Sequence, residues 1–184
     1  MKLLLDSRNE NKLRELRAAL PAWEIALLDA PDDPVEDGET FLDNARAKAR
    51  HGRKHAPVDA WVAGEDSGIE VAALGGRPGV ESARWADDVV ARLLAELADD
   101  TERRARYVCE LVVLSPEGVE EHATGTLEGE IARAARGSEG FGYDPIFVPV
   151  GETHTVAELG DAWKAEHSHR AQAARALAET LATA

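Results

Sequence analysis

The sequence has too little cysteine to form the disulfide bonds that proteins outside a reducing compartment use. It contains one cysteine, Cys109, which excludes an intramolecular disulfide and is typical of a reducing environment. No apolar run is long enough to span a membrane, and the three leucines after Lys2 are too few for a signal peptide. We therefore expect a cytoplasmic protein with no membrane partner, in which Cys109 packs rather than reacts.

Basic residues are also scarce relative to acids. The chain has 21 Lys and Arg against 35 Asp and Glu, which gives a net charge of −14. A surface that neutralises nucleic-acid phosphates needs clustered cations, so we expect no nucleic-acid partner. A phosphate-bearing ligand would have to be small. It would be held by a few local cations, backbone N–H groups and a divalent metal ion.

The chain begins with a strand, a polar turn and a helix. Lys2–Asp6 is apolar enough for a strand, the turn Ser7–Lys12 follows, and leucines then recur at helical spacing up to Pro21. The free N–H groups at such a helix N-terminus can accept phosphate oxygens, with Lys12 as an added charge. The alternative is a turn that only caps the helix.

The stretch GEDSGIEV, Gly64 to Val71, is predicted to be a short acidic turn between two apolar runs. Its adjacent carboxylates, Glu65 and Asp66, suit a metal ion, although Asp, Ser and Gly also form ordinary solvated turns. A further acid, Glu36, lies on an Asp- and Pro-rich loop. That loop precedes a helix whose start is marked by Thr40.

A second unusual stretch, GFGYDP, begins at Gly140. A ring such as Phe141 can stack on a planar ligand, while a neighbouring glycine lets the backbone approach its edge. The alternative is aromatic packing beneath a loop.

Taken together, these stretches resemble the noncanonical purine nucleoside triphosphate pyrophosphatases, the inosine/xanthosine triphosphate pyrophosphatase family. The resemblance covers almost the whole chain, with its motifs in the family's order. They are SRNENK at 7–12, VEDGETFLDNARAKAR at 35–50, EDSGIEVAALGGRPGVESARW at 65–85, GFGYDPIF at 140–147, and Lys164 with SHR at 168–170.

The resemblance implies one α/β domain over residues 1–184. Its elongated mixed β-sheet would be flanked by helices, in two lobes with a central nucleotide-binding cleft. The implied activity is hydrolysis of inosine, deoxyinosine and xanthosine triphosphates to the monophosphate and pyrophosphate. Mg²⁺ is the expected cofactor, with Mn²⁺ as a substitute, and a homodimer is the expected assembly.

The resemblance also implies a role for each matching residue. Asp66 would be the proton acceptor and a metal carboxylate, with Glu36 and Glu65 as further metal carboxylates. His169 and Arg170 would favour the 6-oxo edge of the purine. The implied substrate contacts are Ser7, Asn9, Lys12, Ser67, Phe141, Gly142, Tyr143, Asp144, Lys164, His169 and Arg170.

The sequence departs from the family pattern at Asn11, at Glu65 and in a shortened region at 86–88. Two alternatives therefore stay open. One is a related pyrophosphatase that acts on pyrimidine or modified nucleotides. The other is a protein that binds a nucleotide without hydrolysing it.

Overall fold

The fold is built on one six-stranded mixed sheet. A computed structural model describes residues 1–183, and its strands follow the order β2-β1-β3-β4-β5-β6 across the sheet. Strand β1 pairs in parallel with β2 and β3, and the pairs from β3 to β6 are antiparallel. The strands are β1 (Lys2–Leu5), β2 (Glu24–Leu27), β3 (Trp61–Val71), β4 (Arg104–Leu114), β5 (Glu120–Ile131) and β6 (Phe147–Pro149).

Helices flank this sheet, which confirms the predicted α/β class. Local sequence signals begin several of them: the side chains of Asn9, Thr40 and Asp88 each accept a hydrogen bond from a backbone N–H in the first turn. Among the described residues, no helix is long and apolar enough to cross a membrane. The helices are α1 (Glu10–Ala19), α2 (Phe41–His55), α3 (Val89–Glu96), α4 (Val156–His167) and α5 (His169–Thr183).

Two apolar cores form along the sheet. The first packs α1 and α5 against β1, β2 and the central parts of β4 and β5. The second packs α3, β6 and the start of α4 against the other ends of β3 and β4. Helix α2 covers the opposite face of the sheet, where Ala45 and Ala49 contact β4. Both faces of the central strands are therefore buried.

The prediction of an acidic turn at Gly64 to Val71 is wrong. The whole stretch lies inside β3 and pairs with β4 from Val62 to Val71. Its glycines serve close packing instead, because a Cβ at Gly64 would overlap the backbone of α2. Residues that form turns when solvated are held extended here by pairing with β4 and by packing against α2.

Close packing at a second glycine, Gly125, determines where α5 lies on the sheet. Gly125 lies on β5 directly beneath the first residue of α5, and a Cβ there would overlap the backbone oxygen of His169. The absence of a side chain lets α5 rest on the sheet. This position brings His169 and Arg170 to the cavity described below.

We expect Gly125→Ala to lower the free energy of unfolding by about 1–3 kcal/mol, the usual cost of overpacking a filled core. Urea denaturation measures the change. Thr124→Ser, at the exposed adjacent position of β5, keeps the hydroxyl that bonds Glu110; it is the control and should cost less than about 0.5 kcal/mol. Equal stability of Gly125→Ala and the wild type would contradict the proposed packing of α5 on β5.

Candidate active site

A cavity of about 850 Å³ collects nearly every residue that the sequence singles out. The first turn, the loop before α2, strand β3, the 140–144 loop and the two C-terminal helices all contribute to its lining. Glu65 alone among the predicted site residues is not in the lining. The members are Ser7, Asn9, Lys12, Glu36, Asp66, Ser67, Phe141, Gly142, Tyr143, Asp144, Lys164, His169 and Arg170.

The adjacent acids of β3 point to opposite faces of the sheet, since side chains alternate along a strand. On one face, Glu65 Oε2 lies 2.6 Å from Lys12 Nζ, and Glu65 Oε1 lies 3.0 Å from Arg170 Nη2. On the other face, Asp66 Oδ1 lies 2.8 Å from Lys48 Nζ. Glu65 and Asp66 therefore do not converge on one ion. Glu65 is here the buried partner of two cations, an arrangement that does not favour the expected metal role.

Two carboxylates do converge on one positive charge. The ammonium group of Lys48 lies 2.8 Å from Asp66 Oδ1 and 2.9 Å from Glu36 Oε2. Asn44 Nδ2 donates to the other oxygen of Asp66 at 3.2 Å. Burial raises the pKa of Asp66, and Lys48 opposes that shift. Hard oxygen ligands gathered around a cation are the donor set that Mg²⁺ or Mn²⁺ uses, so Glu36 and Asp66 fit such an ion.

Lys48 and Asn44 were not identified from the sequence, although a signal exists. They are four residues apart on α2 and share its buried face with Ala45. A charged and an amide side chain within an otherwise apolar helix stripe indicate a buried polar partner across the interface. Here that partner is Asp66.

A second buried network, centred on Glu15, joins α1 to the C-terminal helices. Glu15 Oε1 lies 2.5 Å from Lys164 Nζ, and its other oxygen pairs with Arg170. Arg170 also donates to Ser67 Oγ at 2.7 Å. Burial alone would raise the pKa of Glu65, yet Arg170 and Lys12 hold that pKa well below its usual value. Glu15 was not predicted from the sequence, because acids on an amphipathic helix are ordinarily solvated.

Hydrogen bonds to Asp144 hold the 140–144 loop in place. Asp144 Oδ2 accepts from the backbone N–H of Phe141 at 2.8 Å and from Lys164 Nζ at 2.6 Å, and its Oδ1 accepts from Tyr107 Oη at 3.1 Å. Lys164 Nζ also lies 4.7 Å from the ring centroid of Phe141. Gly142 has a φ of 61°, with open space where a Cβ would be. The Phe141 ring and the Gly142 backbone are thus both presented to the cavity.

Tyr143 is more enclosed than a ring that stacks on a ligand would be. Its hydroxyl donates to the backbone oxygen of Ser82 at 2.9 Å, and its ring packs in the second core. Burial raises its pKa to about 12, so the hydroxyl is protonated at neutral pH. Tyr143 closes one wall of the cavity, which leaves Phe141 as the more accessible ring.

His169 stacks on Tyr107 with ring centroids 4.6 Å apart and planes 9° apart. Burial holds the pKa of His169 well below its usual value, so the imidazole is neutral. Among the described residues, none bonds its buried Nδ1 atom. A buried polar atom without a partner in the lining of a cavity is positioned to bond a ligand.

The first turn presents the N-terminus of α1 to the same cavity. Asn9 Oδ1 accepts from the backbone N–H groups of Asn11 and Lys12 at 2.9 and 3.2 Å, and Ser7 Oγ accepts from Asn9 N at 3.1 Å. The expected helix cap is present, and binding of phosphate oxygens by this turn stays a prediction. Asn9 caps the helix, and the capped terminus lines the cavity.

The fold and the site define an α/β protein whose cleft combines a helix N-terminus and lysines at one side with an accessible aromatic ring at another. A cavity of this volume accommodates a small-molecule ligand. The chain belongs to the Ham1 family, whose model matches residues 3–180.

Named relatives and solved structures agree with this membership. The chain is 48% identical over 190 residues to the dITP/XTP pyrophosphatase of Symbiobacterium thermophilum, covering 98% of this chain and 93% of the relative. The Ham1 protein structure from Staphylococcus aureus superimposes with a TM-score of 0.86 at 33% identity, covering 100% of this chain and 99% of the other. The dITP/XTP pyrophosphatase structure from Mycobacterium abscessus has a TM-score of 0.75 at 43% identity, with the same coverage.

Removal of the Glu15 charge tests the buried network. We expect Glu15→Gln to lower the free energy of unfolding by about 3–5 kcal/mol, because Lys164 and Arg170 would stay buried with too little negative charge. Urea denaturation gives the value. The control is Glu10→Gln on the exposed side of the same helix, with an expected cost below about 1 kcal/mol. Similar losses in both variants would show that Glu15 is not the centre of the network.

Proposed function

We propose that this protein hydrolyses inosine, deoxyinosine and xanthosine triphosphates to the monophosphate and pyrophosphate. One observation carries the proposal: the Asp66–Lys48–Glu36 group lines the same cavity as the N-terminus of α1 and the Phe141 loop. One small ligand could therefore place its reacting phosphate at the carboxylates, its other phosphates at the first turn and its base at the Phe141 loop. The names of the relatives support the same reaction class.

The triphosphate is assigned to the first turn. Ser7, Asn9 and the N-terminal end of α1 offer hydroxyl, amide and N–H groups, and Lys12 adds a positive charge. The base is assigned to the loop at the other side, where Phe141 provides a stacking face and Gly142 an open backbone. Lys164 and Asp144 hold that loop through their 2.6 Å ion pair.

The divalent ion, Mg²⁺ with Mn²⁺ as a substitute, is assigned to Glu36 and Asp66. When bound, the ion would neutralise the charge on the phosphoryl oxygens. Glu65 is not among the proposed ligands, because it is fully buried and, unlike Glu36 and Asp66, does not line the cavity. Lys48 keeps a positive charge beside both proposed ligands.

Asp66 is proposed to act as the general base. A water molecule attacks the α-phosphorus, the new P–O bond forms as the bond from that phosphorus to the bridging oxygen breaks, and pyrophosphate leaves. Asp66 takes the proton that the water releases. Asn44 and Lys48 fix the carboxylate by bonds to its two oxygens, so that it is oriented before substrate arrives.

Base selection is assigned chiefly to His169. A neutral imidazole can donate from one ring nitrogen to the 6-oxo acceptor of inosine, where adenine carries an amino donor. Arg170 has less freedom than the sequence suggested, because it already donates to Glu15, Glu65 and Ser67. We therefore propose that Arg170 positions Ser67 and the first turn rather than reading the base edge alone.

Asp66→Asn is expected to lower kcat by at least about 100-fold, since it keeps size and hydrogen bonding but removes the proton acceptor. Pyrophosphate release from inosine triphosphate measures the loss, and nucleotide binding should persist in part. Glu70→Gln is the control, because Glu70 lies on the same strand but pairs with Arg106 at the surface. A kcat for Asp66→Asn within a few-fold of the wild-type value would assign the base elsewhere.

A pyrophosphate-release assay over purine, pyrimidine and modified triphosphates tests the substrate class. Inosine and xanthosine triphosphates should be cleaved well and ATP poorly. His169→Phe keeps a ring against Tyr107 but removes both ring nitrogens, so the preference for inosine triphosphate over ATP should fall at least about tenfold. The exposed His122→Phe is the control.

Each other outcome of that assay has a definite meaning. Preference for a pyrimidine or for ATP would contradict the assignment of the base edge and leave the assignment of Asp66 intact. No turnover of any triphosphate would favour a nucleotide-binding protein.

The homodimer, the cytoplasmic location and the absence of a nucleic-acid partner stay predictions. Light scattering tests the homodimer.

A further inference from the structure

A cluster of two histidines and an aspartate lies outside the lining of the active-site cavity. His51 and His55 are four residues apart, in the last turns of α2, and therefore share one face of the helix. Asp32 reaches them from the loop between β2 and α2. One ligand atom from each residue lies within 4.8 Å of the other two.

The distances within this cluster match a zinc coordination sphere. The Nε2 atoms of His51 and His55 lie 3.0 and 3.5 Å from the same oxygen, Asp32 Oδ1. Ligands bonded to tetrahedral Zn²⁺ at 2.0–2.1 Å are about 3.3 Å apart. The observed separations bracket that value, so an ion could enter with small side-chain movements. Asp32 is largely exposed, which leaves the fourth position to water.

The orientation of His51 is also that of a metal ligand. Its Nδ1 atom lies 2.7 Å from Oδ2 of Asp6, a buried residue that follows the end of β1. Nε2 faces Asp32 at 3.0 Å, so a bound ion would take the place of the proton on Nε2; the carboxylate at Nδ1 orients the ring and favours the tautomer whose Nε2 lone pair would then face the ion. A histidine that only forms a surface ion pair with Asp32 needs no such buried second carboxylate.

We propose that Asp32, His51 and His55 form a binding site for Zn²⁺ or a similar borderline transition-metal ion. Imidazole nitrogens select such ions, whereas the oxygen-only pair Glu36 and Asp66 suits Mg²⁺. The two sites therefore differ in chemistry as well as in place.

The proposed ion would connect α2 to the loop that leads to Glu36. The same loop is held from the first turn by Arg8, which pairs with Asp33 Oδ1 at 2.8 Å and donates to the backbone oxygen of Ala30 at 2.8 Å. Zn²⁺ would add a second attachment one residue away from the Arg8–Asp33 pair. Binding to the folded state alone should raise the melting temperature, by linkage.

Calorimetric titration of Zn²⁺ into chelator-treated, untagged protein tests the proposal. Excess Mg²⁺ is included to occupy the carboxylate pair. We expect one Zn²⁺ per chain, and at least a tenfold loss of affinity in His55→Ala, roughly the range for lost metal-site groups. His55 is the last residue of α2, so its truncation should leave the fold intact, and circular dichroism checks this. His122→Ala, which removes an exposed histidine elsewhere, should bind as the wild type does.

A second measurement separates this site from adventitious binding. Co²⁺ in place of Zn²⁺ should give the intense visible absorption of a tetrahedral nitrogen–oxygen site in the wild type and lose it in His51→Ala and His55→Ala. Absence of Zn²⁺ binding to the wild type would overturn the proposal. Equal affinity in the wild type and His55→Ala would also overturn it, because the ion would then be bound elsewhere.

Discussion

The structure depends on the burial of two adjacent acids at the centre of its sheet. Glu65 is 0% and Asp66 5% exposed, and alternation along β3 sends them to opposite faces. A buried carboxylate needs a charged or hydrogen-bonding partner, so each face must deliver a cation. Helices α1 and α5 deliver Lys12 and Arg170 to one face, and α2 delivers Lys48 to the other. The positions of three helices around β3 follow from this requirement.

The same constraint prepares the site for chemistry. Removing one member of a buried ion pair costs far more than the pair contributes, so these networks fix geometry more than they add stability. On the Glu65 face, both oxygens are occupied, and the group holds the first turn and α5 together. On the Asp66 face, the carboxylate shares a cation with Glu36 at the cavity wall. Glu65 itself therefore lies outside the cavity lining, whereas Asp66 is part of it.

The α/β fold and most of the cavity lining were expected from the resemblance of five motifs to a known family, whereas single helix starts were expected from local signals. Thr40 begins α2 as its side chain indicates. The extended form of β3 did not follow, since its Glu, Asp, Ser and Gly favour turns unless neighbours bury them. Glu15 and Lys48, which lie on helices, were also missed. Their roles come from partners distant in sequence, which only the tertiary packing brings within reach.

The Mg²⁺ dependence of pyrophosphate release by Glu65→Gln tests most directly whether the two carboxylates of β3 have separate roles. If Glu65 is structural and Asp66 with Glu36 holds the ion, the half-saturating Mg²⁺ concentration should stay within about threefold of the wild-type value, even if the variant is less stable. If Glu65 is a metal ligand, that concentration should rise by about tenfold or more, the scale of a lost metal-site group. The second result would contradict the division of roles between the two faces of the sheet.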